Sequence, residues 1–272
     1  MLGLVCLMQL AFSKMNGAGN DFVLIDNRND LVSLSREQVA RLCDRQRGVG
    51  ADGLILLRGC PDREADWAWD FYNGDGSDAE MCGNGARCFA RFIARRVGVN
   101  SEISFLTGCG VIRASLDGER VTVSLIDPCD LRLNEEVSLS VGTRAIHSLN
   151  TGVPHAILMV EDADAAMVDS LGNEIRHHQH FAPAGTNVNF VEILEPEHIR
   201  VRTYERGVGE TLACGTGVSA SAIIASRLEG FSSPVKVDVL GGDTLEVSFD
   251  DNLRSVQLTG PAEFVFDGVI DV

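Results

Sequence analysis

Two cysteines in this 272-residue chain stand where a thiol is favoured as a thiolate. Cys82 is followed by Gly83-Asn84-Gly85 and Cys214 by Gly215-Thr216-Gly217, each at the mouth of a predicted helix. Amide hydrogens at a helix start, and the positive end of its macrodipole, favour a thiolate over a thiol. The glycines leave that backbone bare, so the same N–H groups suit a carboxylate ligand. One isolated cysteine there reads as a small buried residue. Two in matching contexts point to a pair of functional thiols. Cys6, Cys43, Cys60, Cys88, Cys109 and Cys129 are expected to be dispensable for chemistry. With no Cys-x-x-Cys in a chain of this length, the cysteines read as reduced thiols in a cytoplasmic setting.

Other candidate motifs carry less. Gly48-Val49-Gly50-Ala51-Asp52-Gly53 fits G-x-G-x-x-G, but it follows a helix and opens a strand, the reverse of a dinucleotide loop. His177, His178 and His180 lack the helical spacing of a zinc site and read as a solvated loop, so no metal is expected. With 39 Asp and Glu against 23 Lys and Arg, the net charge of −16 repels a nucleic-acid backbone. No apolar run is long enough for a spanning helix. Leu2 to Phe12 is apolar but lacks the basic start and cleavage site of a signal peptide, and residues 1–7 read as an extension outside the core.

The elements that must hold these cysteines are mostly strands. Val-, Ile-, Leu- and Phe-rich segments predict strands at Asp21–Asp26, Leu54–Leu57, Trp67–Tyr72, Ile103–Leu106, Val111–Ala114 and Val121–Leu125. Others fall at Arg144–Leu149, His155–Val160, Asn187–Leu194 and Ile199–Tyr204, with three more ending near Leu258. Helices are predicted at Arg36–Arg47, behind a Ser35/Gln38 capping box, at Gly85–Val97, and at Gly217–Glu229. The two Cys-Gly motifs each follow a strand and enter a helix, which marks a duplicated domain. The polar stretch Asp127–Glu136 is expected to break the strand pattern and separate the copies. The domains are then 8–127 with 260–272, carrying Cys82, and 128–259, carrying Cys214.

Together these residues carry a family resemblance from Leu10 to Val272. The stretches are Lys14-Met15-Asn16-Gly17-Ala18-Gly19-Asn20-Asp21-Phe22, Phe71-Tyr72-Asn73 with Asp75-Gly76-Ser77, and Cys82-Gly83-Asn84-Gly85-Ala86-Arg87-Cys88. Pro154-His155, Gly185-Thr186-Asn187-Val188-Asn189-Phe190, Tyr204-Glu205-Arg206-Gly207-Val208-Gly209-Glu210-Thr211 and Ala213-Cys214-Gly215-Thr216-Gly217 follow in order. The chain resembles the diaminopimelate epimerase family of cofactor-independent, two-cysteine amino-acid epimerases. The resemblance implies an α+β fold of two similar domains, each a barrel-like, mainly antiparallel sheet around a central helix, with the active site in the cleft between them. It also implies a homodimer acting on a small amino acid without pyridoxal phosphate or any other cofactor.

The chemistry it implies can be stated physically. An amino-acid α-proton is weakly acidic, so the enzyme must stabilise the charge that develops as it leaves. One cysteine removes the proton as thiolate, and the other returns a proton to the opposite face as thiol. By resemblance, Gly83, Asn84, Gly215 and Thr216 hold the reacting carboxylate, Glu205 takes the ammonium, and His155 with Glu205 tunes the thiols. Asn20, Asn73, Asn187 and Arg206 read the distal end, where a guanidinium suits a carboxylate. For Asn20 and Asn73 a turn role is the alternative, and for Arg206 a surface ion pair.

One departure bears on the substrate. Many relatives have Asn before Pro154-His155, where this chain has Val153. Losing an amide weakens distal recognition and leaves the reacting end untouched. The expected reaction is interconversion of LL- and meso-2,6-diaminopimelate. The alternatives are a proline, hydroxyproline or histidine racemase, against which Asn84 stands where a proline-type enzyme would carry His, and a non-catalytic amino-acid-binding protein.

Overall fold

The computed structural model describes residues 8–79, 81–99 and 101–272, so the expected extension 1–7, with Cys6, lies outside the described residues. The chain divides into two compact units, one built from the residues up to Val121 with Ala262–Val272, the other from Thr122–Pro261. Among the described residues no helix is long and apolar enough to cross a membrane.

The first unit contains β1 (Gln9–Gly17), β2 (Asn20–Asp26), α1 (Arg36–Cys43), β3 (Gly53–Gly59), β4 (Trp67–Asn73), α2 (Gly83–Val97), β5 (Ile103–Thr107) and β6 (Gly110–Asp117). The chain passes to the second unit within β7 (Arg120–Ser124). β1 pairs antiparallel with β2, β2 parallel with β3, β3 antiparallel with β4, β4 parallel with β5, and β5 antiparallel with β6. The final strand of the chain, Glu263–Asp271, covers the other edge of β1. Helix α2 packs against β1, β2, β3 and β6.

The second unit repeats this order. It contains β8 (Cys129–Leu139), β9 (Gly142–Asn150), β10 (Pro154–Met159), α3 (Val168–His177), β11 (Asn187–Glu195), β12 (His198–Glu205), β13 (Gly209–Thr211), α4 (Gly215–Glu229), β14 (Val235–Val239), β15 (Thr244–Ser248) and β16 (Gln257–Pro261); the final strand is β17. β9 pairs antiparallel with β10, β10 parallel with β11, β11 antiparallel with β12, β12 parallel with β14, and β14 antiparallel with β15. Helix α4 packs against β9 to β12, β14 and β15. Both central helices end on a left-handed glycine, Gly98 at φ 74° and Gly230 at φ 73°. The architecture is the expected two-domain α+β one.

Burial on both faces explains the sequence pattern. Phe22-Val23-Leu24-Ile25 of β2 and Leu54 to Leu57 of β3 are buried without alternation. Val23, Ile25, Leu54 and Leu56 pack towards α1 with Val39 and Leu42. Their neighbours turn to α2, where Trp69, Phe71, Phe89 and Phe105 stack edge-on or tilted. Parallel strands covered on both sides read as continuous apolar runs for this reason. In the second unit α3 covers Ala156, Leu158, Val188 and Phe190 with Val168, Leu171 and Ile175.

Three readings need correction. Asp127–Glu136 does not break the sheet: it enters β8, whose ladder with β9 shifts register twice and whose residues are mostly exposed. Left-handed Asp130 and Asn134 absorb the shifts, which removes the alternation that marks a strand. Helix α1 stops at Cys43 rather than Arg47, because the Asp44 carboxylate takes the N–H groups of Gln46 and Arg47, both at 2.8 Å. His177 closes α3 rather than lying in a loop, and His178 caps the short 3-10 turn Gln179–Phe181. α3 escaped prediction because its N-cap, Met167, makes no side-chain cap.

α3 sits hard on β12. A Cβ on Gly172 would lie 2.6 Å from Tyr204 Cβ and 2.7 Å from its Cγ. Gly172→Ala is expected to lose about 1–3 kcal/mol to overpacking, more than the ~1 kcal/mol gained in helix propensity. Urea denaturation checks this; a raised midpoint would mean that α3 slides off β12 at no cost.

Candidate active site

In the first unit Cys82 is the N-cap residue of α2, with extended φ −148° and ψ 119°. Its sulfur accepts the Gly85 N–H at 3.4 Å and donates to Asn20 Oδ1, also at 3.4 Å. The Asn20 amide has only one orientation, since its Nδ2 donates at 2.6 Å to Asp52, a carboxylate that only accepts. Asp52 is held in turn by Arg45 at 2.8 Å and the Asp21 N–H at 3.1 Å. Arg45 also forks onto both Asp21 oxygens, and Lys14 bridges Asp21 at 2.7 Å and the Gly50 carbonyl. Burial pushes the Asp21 carboxyl up, but hydrogen bonds from Arg45, Lys14 and the Asp52 amide outweigh it and hold it at about 2.

Asn84 is buried in the first turn of α2, its side-chain oxygen taking Arg87 Nη2 at 3.0 Å. Arg87 also donates to the Gly83 carbonyl at 3.3 Å. A fully buried guanidinium therefore ties the Asn84 side chain to the Gly83 carbonyl within the first turn. Sequence reasoning assigned Arg87 no role. Asn73 ends β4 and bonds within its own turn, to Ser77 Oγ at 3.0 Å and the Asp78 carbonyl at 3.4 Å, matching the turn alternative.

In the second unit Cys214 caps α4, and its sulfur lies 3.5 Å from Thr216 Oγ1. Thr216 Oγ1 lies 3.0 Å from Nε2 of His155, a residue only 1% exposed on β10. Nδ1 of the same ring meets Asn189 Nδ2 at 3.1 Å. β10 and β11 pair His155 with Asn187, and the two-residue period of β11 puts Asn189 on the same face as Asn187, towards α4. The helix can approach this closely only because residue 217 is glycine: a Cβ there would lie 2.4 Å from Asn189 Oδ1. Asn187 Oδ1 accepts the Arg206 N–H at 2.9 Å, and Glu205 accepts Thr211 Oγ1 at 2.7 Å. The structure thus gathers Asn187, Glu205 and Arg206 at the end of β12. Arg206 donates to the Ala184 carbonyl at 3.4 Å, and among the described residues it meets no surface carboxylate.

The other cysteines and histidines lie apart from these groups. Burial pushes the Cys43 thiol up to about 11 and Cys88 up to about 12, which keeps both protonated. His180 pairs with Glu135 at 3.2 Å and His177 with the Asn173 carbonyl at 3.0 Å.

Burial, aided by the charge of Arg206, pushes His155 down to about 3. An unfolded histidine titrates near ~6.5. Between these values the unfolded chain binds the extra proton, so stability falls as the pH drops below about 6.5. Burial lowers His147 as well, adding to the same loss. His155→Gln is expected to flatten the fall in urea midpoint between about pH 6.5 and 4.5; an unchanged slope would contradict a neutral, buried ring.

The family model described as diaminopimelate epimerase matches residues 12–127 and 147–265. The diaminopimelate epimerase of Aquifex aeolicus is 44% identical over 274 residues, covering 95% of this chain and 97% of that protein. Among solved structures, a PhzF-family phenazine biosynthesis protein of Bacillus anthracis superposes with a TM-score of 0.73 at 14% identity, covering 97% of this chain and all of that one. A probable proline racemase of Agrobacterium radiobacter gives 0.70 at 17% identity, covering 97% and 92%. At such identities these two share the fold alone, whereas the family match spans nearly the whole sequence. With its paired helix-capping cysteines, the chain belongs to the diaminopimelate epimerase family.

Proposed function

We propose that this protein interconverts LL-2,6-diaminopimelate and meso-2,6-diaminopimelate, passing the α-proton between Cys82 and Cys214 without a cofactor. The observation that carries the reading is the pair of thiols at the N-termini of two buried helices, in units of matching topology. Amide hydrogens of Gly83, Asn84, Gly215 and Thr216 bind the carboxylate next to the reacting carbon and stabilise the charge that builds on it. One thiolate takes the proton from one face and the opposing thiol delivers a proton to the other, so the centre inverts. Glu205 takes the α-ammonium. Asn20, Asn187 and Arg206 recognise the distal amino-acid end, with Asn73 holding the turn beside it. Val153 leaves that end with one amide fewer than many relatives. The enzyme works as a cytoplasmic homodimer on the route to lysine and peptidoglycan.

Each face has one acid–base group, so Cys82→Ala and Cys214→Ala are each expected to lower epimerisation by about 10²- to 10⁴-fold or more. Cys43→Ala and Cys88→Ala should keep the chemistry wherever the protein folds. Chiral chromatography of LL-diaminopimelate, with α-proton exchange in heavy water, measures both. Racemisation of proline or histidine with LL-diaminopimelate untouched would move the activity to the racemase alternative, and no exchange at all would make the protein a binder.

Two thiols that share one proton in a reaction are also candidates to oxidise to one another. Diamide, taking two electrons and two protons, is expected to join Cys82 to Cys214 and abolish activity, with dithiothreitol restoring both. Peptide mapping decides: an oxidised, inactive protein in which other cysteines are joined would rule out opposed thiols.

A further inference from the structure

The second unit contains a directed hydrogen-bond relay that ends on the Cys214 sulfur. Its starting point is the amide of Asn189, fully buried on β11. That amide has one possible orientation. Its Nδ2 faces the Ala156 carbonyl at 3.3 Å, an atom that only accepts, while its Oδ1 accepts Thr203 Oγ1 at 2.9 Å. The group presented to His155 Nδ1 at 3.1 Å is therefore a donor, so Nδ1 is the bare nitrogen of the ring. Buried and neutral, the ring carries its single proton on Nε2. Nε2–H then donates to Thr216 Oγ1 at 3.0 Å, which occupies a lone pair and turns the hydroxyl hydrogen elsewhere. The sulfur of Cys214, at 3.5 Å, is positioned to receive it.

We propose that Asn189 is a positioning residue for the reaction: by fixing His155 as the Nε2–H tautomer it makes Thr216 a donor to Cys214 and so favours the thiolate at that cysteine. The proposal rests on the reading of Cys214 as a proton-transfer group. A sulfur that receives a hydrogen bond is stabilised as an anion. Cys82 is met differently: its sulfur accepts the Gly85 N–H, and Asn20, locked by Asp52, shows it an oxygen that can only accept. The relay adds a hydroxyl donor to the Cys214 sulfur, and with it the share of thiolate at that cysteine. Around the His155 ring, Arg206 is the charged group whose field acts on it, and that field opposes a proton on the ring.

Nitrogen-15 NMR of histidine-labelled protein, with His155 assigned by the signal lost in His155→Gln, tests the relay without altering Asn189. The expected result is a protonated Nε2 and a bare Nδ1 from pH 6 to 8; a protonated Nδ1 overturns the proposal. Asn189→Asp supplies a carboxylate that cannot donate to Nδ1. It should reverse the tautomer, lower kcat by about 10- to 100-fold, the worth of one hydrogen bond to a charged group, and leave KM within about twofold. Iodoacetamide alkylation of Cys214, followed by peptide mass against pH, should move to higher pH in that variant. A folded Asn189→Asp protein with unchanged kcat and an unchanged Cys214 profile would equally overturn the proposal. Should the variant not fold, the wild-type NMR result decides alone. Full activity in Cys214→Ala would instead remove the parent reading, a failure distinct from a wrong tautomer.

Discussion

A helix buried around its whole circumference can meet a ligand only at its ends, and this constraint shapes both units. Ten residues between Gly215 and Ala225 of α4 are buried, as is nearly every residue from Gly83 to Ala94 of α2. Strands wrapped around such a helix leave its first turn as the place where backbone amides, a dipole end and a capping side chain can face a small molecule. The capping residue is then a natural position for reactive chemistry, because nothing larger than a thiol is needed to reach a ligand held by the amides. Glycines and small residues in these first turns follow from the same crowding.

Matching topology does not mean matching chemistry at the two caps. The Cys82 cap is backed by a charged lattice, Lys14, Asp21, Arg45 and Asp52, that runs from the interior at Lys14 to the surface at Arg45 and ends on a side-chain amide. The Cys214 cap is backed by neutral groups, Thr203, Asn189, His155 and Thr216, in the interior. Like positions in the repeat thus present the two sulfurs with different partners. A reaction that must begin with one base and one acid gains from such divergence, whereas an exact repeat would give two thiols of equal acidity.

Much of this was legible in the sequence where a short-range rule applies. The Ser35/Gln38 box marked the start of α1, and the apolar runs marked β2, β3 and β11, because each signal depends on neighbours in the chain. The Cys-Gly motifs marked the helix starts to within two residues, since glycine-rich entries are a local property. What escaped depends on distant partners. β8 is a strand only because β9 pairs with it, and β17 only because β1 does. Asn189 was visible as a polar residue in an apolar strand, but its meaning lies in the ring of His155, 34 positions away. Asp52 and Arg87 likewise take their roles from contacts that no spacing rule reveals.

The pairing of β17 with β1 sets an order of events in the cell. Ser13 and Asp267, joined side chain to side chain at 2.6 Å, are separated by 254 positions, and the whole of the second unit lies between them. A ribosome adding about 5–20 residues per second takes roughly 10–50 s to bridge that interval. Throughout it the edge of β1 waits without its partner, since β17 is made only after the last strand of the second unit. The first unit, although translated first, closes only when the last residues of the chain are made.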